Sequence, residues 1–277
     1  MEFSAVFFGL VSAVTWGAGD FSGGMAVKRT NPYGVVIAAH AISLVMFMVL
    51  GIVTGEPVPP IRDWMWGGAA GIGGGIGLAL LYSALASGQM SIAAPISALV
   101  AAALPVMVGA FSEGLPGWGT LIGFGLALTA VWLISGGVGL ELQPGKLRLP
   151  LFAGVCFGAF FIFIHQGSSL SILWPLVATR IASITSLLSF SIATRQRWIP
   201  TRDSWIPIIM SSLLDSAGNA FYALSARMGR MDVAAVLGSL YPGSTVLLAW
   251  FVLKERISPL QMIGILVALI AIVLITL

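Results

Sequence analysis

The chain has 277 residues, 58% of them hydrophobic and only 8% charged, whereas soluble globular domains carry about 25% charged residues. That composition excludes a soluble enzyme or binding domain. The net charge of +3 and pI near 9.4 fit loop Lys and Arg facing anionic lipid, not a nucleic-acid site, and a lone Cys156 excludes a disulfide framework and a cysteine metal site.

Ten stretches reach the length of about 20 apolar residues that crosses a ~30 Å hydrocarbon core. They are 3–24, 33–54, 64–87, 91–112, 116–137, 148–169, 173–194, 204–227, 232–253 and 257–277. None alternates as a barrel strand does, so helices are the spanning form. The expected fold is an all-α integral membrane protein of ten transmembrane helices. Met1-Glu2-Phe3-Ser4 lacks the positive region of a signal peptide, so the first stretch is read as a retained span. Turn and charge signals mark the breaks, among them Lys28 to Pro32, Glu56 to Pro60, Gln143 to Lys146, Arg195 to Pro200 and Lys254-Glu255-Arg256.

In chain order, Trp16 lies well inside the first stretch and Asp20 toward its end; His40 sits inside the second. The third holds Gly71-Ile72-Gly73-Gly74-Gly75-Ile76-Gly77 and then Tyr82. That glycine run is no nucleotide loop, because no strand precedes it and no acidic residue follows at the required distance. Its expected role is close helix packing or a hinge. His165 closes the sixth stretch, and Tyr241-Pro242 lies in the ninth. Two histidines without cysteine or carboxylate partners make no metal site, so no metal and no cofactor is expected. His40 and Arg180 are read as structural, His165 as a candidate contact.

The sharpest local pattern is in the eighth stretch. Ser212, Asp215, Asn219 and Tyr222 are spaced by three, four and three, which places them on one helix face. A charged residue at the bilayer centre costs at least ~2.5–3.5 kcal/mol, so Asp215 faces protein or water. This face either lines a hydrated cavity or forms an interhelical polar network; the number of polar groups favours the cavity. Tyr and Trp collect at interfacial belts, so the deep Tyr82, Tyr222 and Trp16 are candidates for stacking and hydrogen bonding to a flat or zwitterionic substrate.

The two halves repeat at an offset of about 141. Trp16-Gly17 falls on Phe157-Gly158 and Met90 on Met231; with a one-residue gap, Ala39-His40-Ala41-Ile42-Ser43 falls on Thr179-Arg180-Ile181-Ala182-Ser183. Five spans per repeat make the second set enter from the opposite side, the layout of inverted-repeat transporters. The expected division is a first repeat over 1–139, a linker at 140–147 and a second repeat over 148–277.

Ala13-Val14-Thr15-Trp16-Gly17, Tyr241-Pro242, and Leu253-Lys254-Glu255-Arg256-Ile257-Ser258 with Gln261-Met262-Ile263-Gly264 resemble the EamA-type, ten-helix branch of the drug/metabolite transporter superfamily. Overall similarity is to the aromatic amino-acid exporters of bacterial inner membranes. Ala101 stands where the repeat calls for a counterpart of Pro242, and Glu113 is followed by Gly114, not Arg. The resemblance implies a multi-pass inner-membrane exporter of small metabolites, amino acids including aromatic ones, acting as a monomer by alternating access. A channel-like or scaffold protein is the alternative, as is an exporter of other metabolites or drugs. No enzyme activity and no nucleic-acid partner is expected; the partners are a small-molecule substrate and the lipid bilayer. The expected substrate-binding set is Tyr82, Asn219, Tyr222, Asp215, His165, Trp16 and Tyr241. Proton antiport and uncoupled export stay open. Loop charge is lopsided: Arg62, Arg227 and Arg230 on the side of the N-terminus, but nine Lys and Arg on the other, which favours both termini outside.

Overall fold

The computed structural model describes residues 3–87, 90–134, 144–254 and 258–276. Glu255, Arg256 and Ile257 of the closing motif, and residues 140–143 of the expected linker, lie outside the described residues. Among the described residues there is no strand. The helices are α1 (Phe3–Val27), α2 (Pro32–Val53), α3 (Ile61–Ala86), α4 (Met90–Ser112), α5 (Trp118–Ile134), α6 (Pro144–Gly167), α7 (Leu173–Ala193), α8 (Trp205–Met228), α9 (Met231–Gly238), α10 (Tyr241–Leu253) and α11 (Pro259–Thr276). A 3-10 turn over Arg202–Ser204 leads into α8.

Every expected stretch falls on one helix except the ninth, which falls on α9 and α10. The break has a local cause. Pro242 has no N–H to offer the carbonyl four residues back. The chain tightens instead, with Leu240 N donating to Leu237 O at 3.1 Å and Gly243 N to Leu240 O at 2.9 Å. By contrast α4 runs unbroken through Pro95 and Pro105.

Counting α9 and α10 as one path, seven helical segments among the described residues are long and apolar enough to cross a membrane. α5 and α11 are apolar but shorter. α8 has 24 residues but includes Ser211, Ser212, Asp215, Ser216 and Asn219. Large apolar side chains such as Val53, Phe111, Ile206 and Phe251 are exposed, as lipid-facing positions require. The chain is a multi-pass membrane protein.

The two halves interleave. α1 packs chiefly on α8 and α3 on α6, while α2 meets α7 and α5 meets α11; contacts between chain neighbours are sparse. Close approach is built into α3. A side chain at Gly71 would collide with the backbone of Thr179, and one at Gly75 with Ser183. The glycine run therefore seats α3 backbone to backbone on α7, a small-residue interface of the kind membrane helices favour.

The repeat is visible in the turns. Gly55 (φ 64°) ends α2 and Arg195 (φ 55°) ends α7 in the same left-handed conformation. Gly114 (φ 81°) and Lys254 (φ 58°) do so after α4 and α10. Both pairs are 140 positions apart. After α2 the closing bonds are Gly55 N to Ile52 O (3.2 Å) and Glu56 N to Gly51 O (3.1 Å); after α7 they are Arg195 N to Ile192 O (3.2 Å) and Gln196 N to Ser191 O (2.8 Å). This is the helix-ending motif in which a left-handed residue returns the orphan carbonyls to the chain.

Loop contacts repeat at the same interval. Arg29 Nη1 donates to Asp203 O at 2.8 Å, and 140 positions on from the first and back from the second, Ser169 Oγ donates to an Asp63 carboxylate oxygen at 3.3 Å. Asn31 meets Gln196 at 3.5 Å, and Ser171 donates to Glu56 at 2.8 Å. Glu56 also accepts from the backbone N–H groups of Ile172 (2.8 Å) and Leu173 (2.7 Å), so an acid from the α2–α3 loop caps α7.

Candidate functional site

A cavity holding about 600 Å³ of empty space, its open mouth included, lies between the halves. Helices of both contribute: α1, α2, α3 and α4 from the first, and α6, α7, α8 and α10 from the second. Its walls are mostly apolar, built of Ala70, the α3 glycines, Leu78, Ala101, Phe157, Phe160 and Phe161. Set among them are Trp16, Asp20, His40, Thr179, Arg180, Ser183, Asp215, Asn219 and Tyr241. A mostly apolar cavity with a few convergent polar groups is the usual form of a small-molecule site.

The polar groups form a connected chain. Trp16 Nε1 donates to Asn219 Oδ1 at 3.3 Å, and Asn219 Nδ2 donates to Asp215 Oδ2 at 2.9 Å. Arg180 Nη2 reaches the same carboxylate oxygen at 2.7 Å and Nη1 reaches His40 Nε2 at 3.0 Å. His40 Nδ1 is 2.6 Å from Ser183 Oγ. Arginine can only donate, so His40 accepts at Nε2 and must carry its proton at Nδ1, donating to Ser183. The imidazole is therefore neutral in this arrangement. The Arg180 guanidinium also lies 5.5 Å from the Phe47 ring centroid, within cation–π range.

Four of the expected site residues meet at this cavity: Trp16, Asp215, Asn219 and Tyr241. Tyr241 directs its hydroxyl across to α4, 2.9 Å from both Ala94 O and Ser97 Oγ. Three others lie elsewhere. Tyr222 is fully buried behind the wall, its ring stacked on Phe161 at 4.5 Å and close to Trp16 at 5.6 Å, with its hydroxyl donating to Phe161 O at 3.1 Å. Tyr82 is buried over Gly23, where any side chain would collide with its ring, and its hydroxyl meets Ser211 Oγ at 3.0 Å. His165 is not among the lining residues; its Nδ1 is buried without a hydrogen-bond partner among the described residues.

The placement of Tyr222 has a local cause. The face predicted on α8 wraps past the cavity at both ends. Ser212 donates to Ala39 O at 2.6 Å, locking α8 to α2, and Tyr222 turns toward α6. Only the two middle members, Asp215 and Asn219, reach the opening. Conversely, sequence reasoning set His40 and Arg180 aside as structural, yet both line the cavity. The signal was available: they are repeat partners, and repeat partners near a two-fold relation meet each other. Asp20 also lines the site, half-buried on α1. Among the described residues no three His, Cys, Asp or Glu side chains cluster as a metal site would require.

The model of the EamA-like transporter family matches this sequence twice, over residues 3–136 and 148–277. The chain belongs to the EamA-like transporter family. Its halves are two copies of one family unit, as the turns and loop contacts indicate. No curated protein matches the chain. Among solved structures, one described only as the crystal structure of a protein shares 15% identity, with a TM-score of 0.80, and the match covers 99% of this chain and 96% of the other. At that identity the likeness shows the fold alone. Family membership makes this chain a small-molecule transporter in general terms, in a family of transporters and not enzymes.

Proposed function

We propose that this member of the EamA-like family is a secondary transporter that exports small metabolites, amino acids including aromatic ones, from a bacterial cell across its inner membrane. The observation that carries the reading is the cavity itself: polar groups from both family units converge on one opening between them. A site shared by two units can be exposed to either side by moving one unit against the other, which is alternating access. The packing supports two equivalent repeats, and five crossings in each make them run in opposite senses. Exchanging the halves turns the α1–α8 pair into α6–α3, both extensive. On this reading the units are 1–139 and 148–277, the termini lie outside, and the chain works as a monomer. Trp16, Asp215, Asn219 and Tyr241 contact substrate, while Tyr222 fixes the Trp16–Phe161 wall, and Tyr82 and His165 support the surrounding helices.

Counterflow in proteoliposomes tests this. Preloading with unlabelled phenylalanine should accelerate entry of labelled phenylalanine; entry that ignores preloading would instead indicate a channel-like protein. Asn219→Ala removes a partner from both Trp16 and Asp215. Loss of such a bond costs ~1–3 kcal/mol, which corresponds to roughly a five- to hundredfold weaker substrate interaction. Full transport by this variant at normal abundance would remove Asn219 from the site. Repeating the assay with and without a proton gradient separates antiport from uncoupled export.

A further inference from the structure

We infer that the cavity recognises its substrate by an ammonium group held at Asp20, and that a substrate carboxylate has no receptor of its own. This rests on the transporter reading above. Three permanently or commonly charged side chains line the opening: Asp20, Asp215 and Arg180. Arg180 and Asp215 satisfy each other at 2.7 Å. Of the other Arg180 nitrogens, Nη1 is held by His40, while Nε is buried and makes no hydrogen bond to any described residue. His40 is neutral by its hydrogen bonds. Among the described lining residues, no cation without a counter-ion is therefore left to receive an anion.

Asp20 is in the opposite position. It lines the cavity, half-buried, with no hydrogen bond or ion pair to any described residue. The ionisable groups that face it are Asp215 on α8, Tyr82 on α3 and Tyr241 on α10; none of them is a cation. An unpaired carboxylate at membrane depth must be met by a proton or a cation, because its isolated charge is costly there. An organic ammonium supplies both the charge and the hydrogen-bond donors. The apolar body attached to it finds Trp16, Phe157, Phe160 and Phe161, whose ring faces suit aromatic or cationic groups. Phenylalanine is thus read by its amine and its ring, while phenethylamine, its decarboxylated form, keeps both recognised features.

Calorimetric binding to the purified full-length protein distinguishes the possibilities, using phenylalanine, phenethylamine and N-acetylphenylalanine. Phenethylamine should bind at least as tightly as phenylalanine, and N-acetylphenylalanine at least tenfold more weakly. Asp20→Asn should weaken phenethylamine at least tenfold and erase the difference between phenethylamine and N-acetylphenylalanine. Equal binding of phenethylamine and N-acetylphenylalanine by the unsubstituted protein would overturn the inference, and that comparison stands even if Asp20→Asn fails to fold. Unchanged phenethylamine binding by a folded Asp20→Asn protein would overturn it as well. In that event counterflow of phenylalanine would still support the transporter reading. If counterflow of phenylalanine is absent and none of the three compounds binds, the aromatic amino-acid assignment and the ammonium site fall together.

Discussion

Asp215 is held on two sides, by Arg180 at 2.7 Å and by Asn219 at 2.9 Å, with the arginine side chain only 4% exposed and the carboxylate 19%. Removing one partner of such a pair leaves an uncompensated charge and costs about 3–5 kcal/mol, whereas removing both is far milder. Arg180→Gln should therefore destabilise the protein strongly, and adding Asp215→Asn should recover much of the loss. Equilibrium unfolding in mixed micelles measures both. A double variant as unstable as the single one would mean that Asp215 is held by something other than Arg180. The sequence made Asp215 and Asn219 conspicuous because two strongly polar residues stood in an apolar helix. It could not show that the flanking Ser212 and Tyr222 turn away, since that depends on how α2 and α6 cross α8. Asp20 was visible but undistinguished. What singles it out is the lack of a partner, which only three-dimensional placement reveals.

At the scale of helices, the matched turns expose an imperfection. Gly55 takes its left-handed conformation freely, whereas Arg195 holds the equivalent one (φ 55°) against the clash of its Cβ. Arg195→Gly should stabilise the protein by up to about 1 kcal/mol, the relief of strain exceeding the added freedom of the unfolded chain. Thermal unfolding in detergent compares the two, with Gly55→Ala as the converse, destabilising change. A loss of stability from Arg195→Gly would show that the arginine makes contacts outweighing its strain. Helix positions were legible because apolar length and Pro, Gly and charge punctuation act locally. The α9–α10 break was not read as one, although Pro242 was in view. Pro95 and Pro105 leave α4 whole, so a proline alone does not decide between a bend and a stop.

Across the whole molecule, the repeat makes a directional claim that can be checked. Position 29 in the first half and position 169 in the second are equivalent, exposed and on short turns. With the Cys156→Ala change as background, a cysteine replacing Arg29 should react with an impermeant maleimide only from the cytoplasmic face, and one replacing Ser169 only from outside. Reaction of both from one face would end the inverted arrangement; reaction of each from the opposite face to that expected would reverse the termini. The duplication was legible because the offset held along the chain. The cavity's position was not, because helix order says little about which partners interleave. His40 and Arg180, equivalent residues 3.0 Å apart, have one more consequence. A homodimer of either half would set each of them against its own twin. Two guanidiniums would repel there, and two imidazoles would supply no lasting positive charge at all. Joining the halves in one polypeptide frees the twins to differ, so that one lobe keeps the charge and the other answers it with a neutral ring.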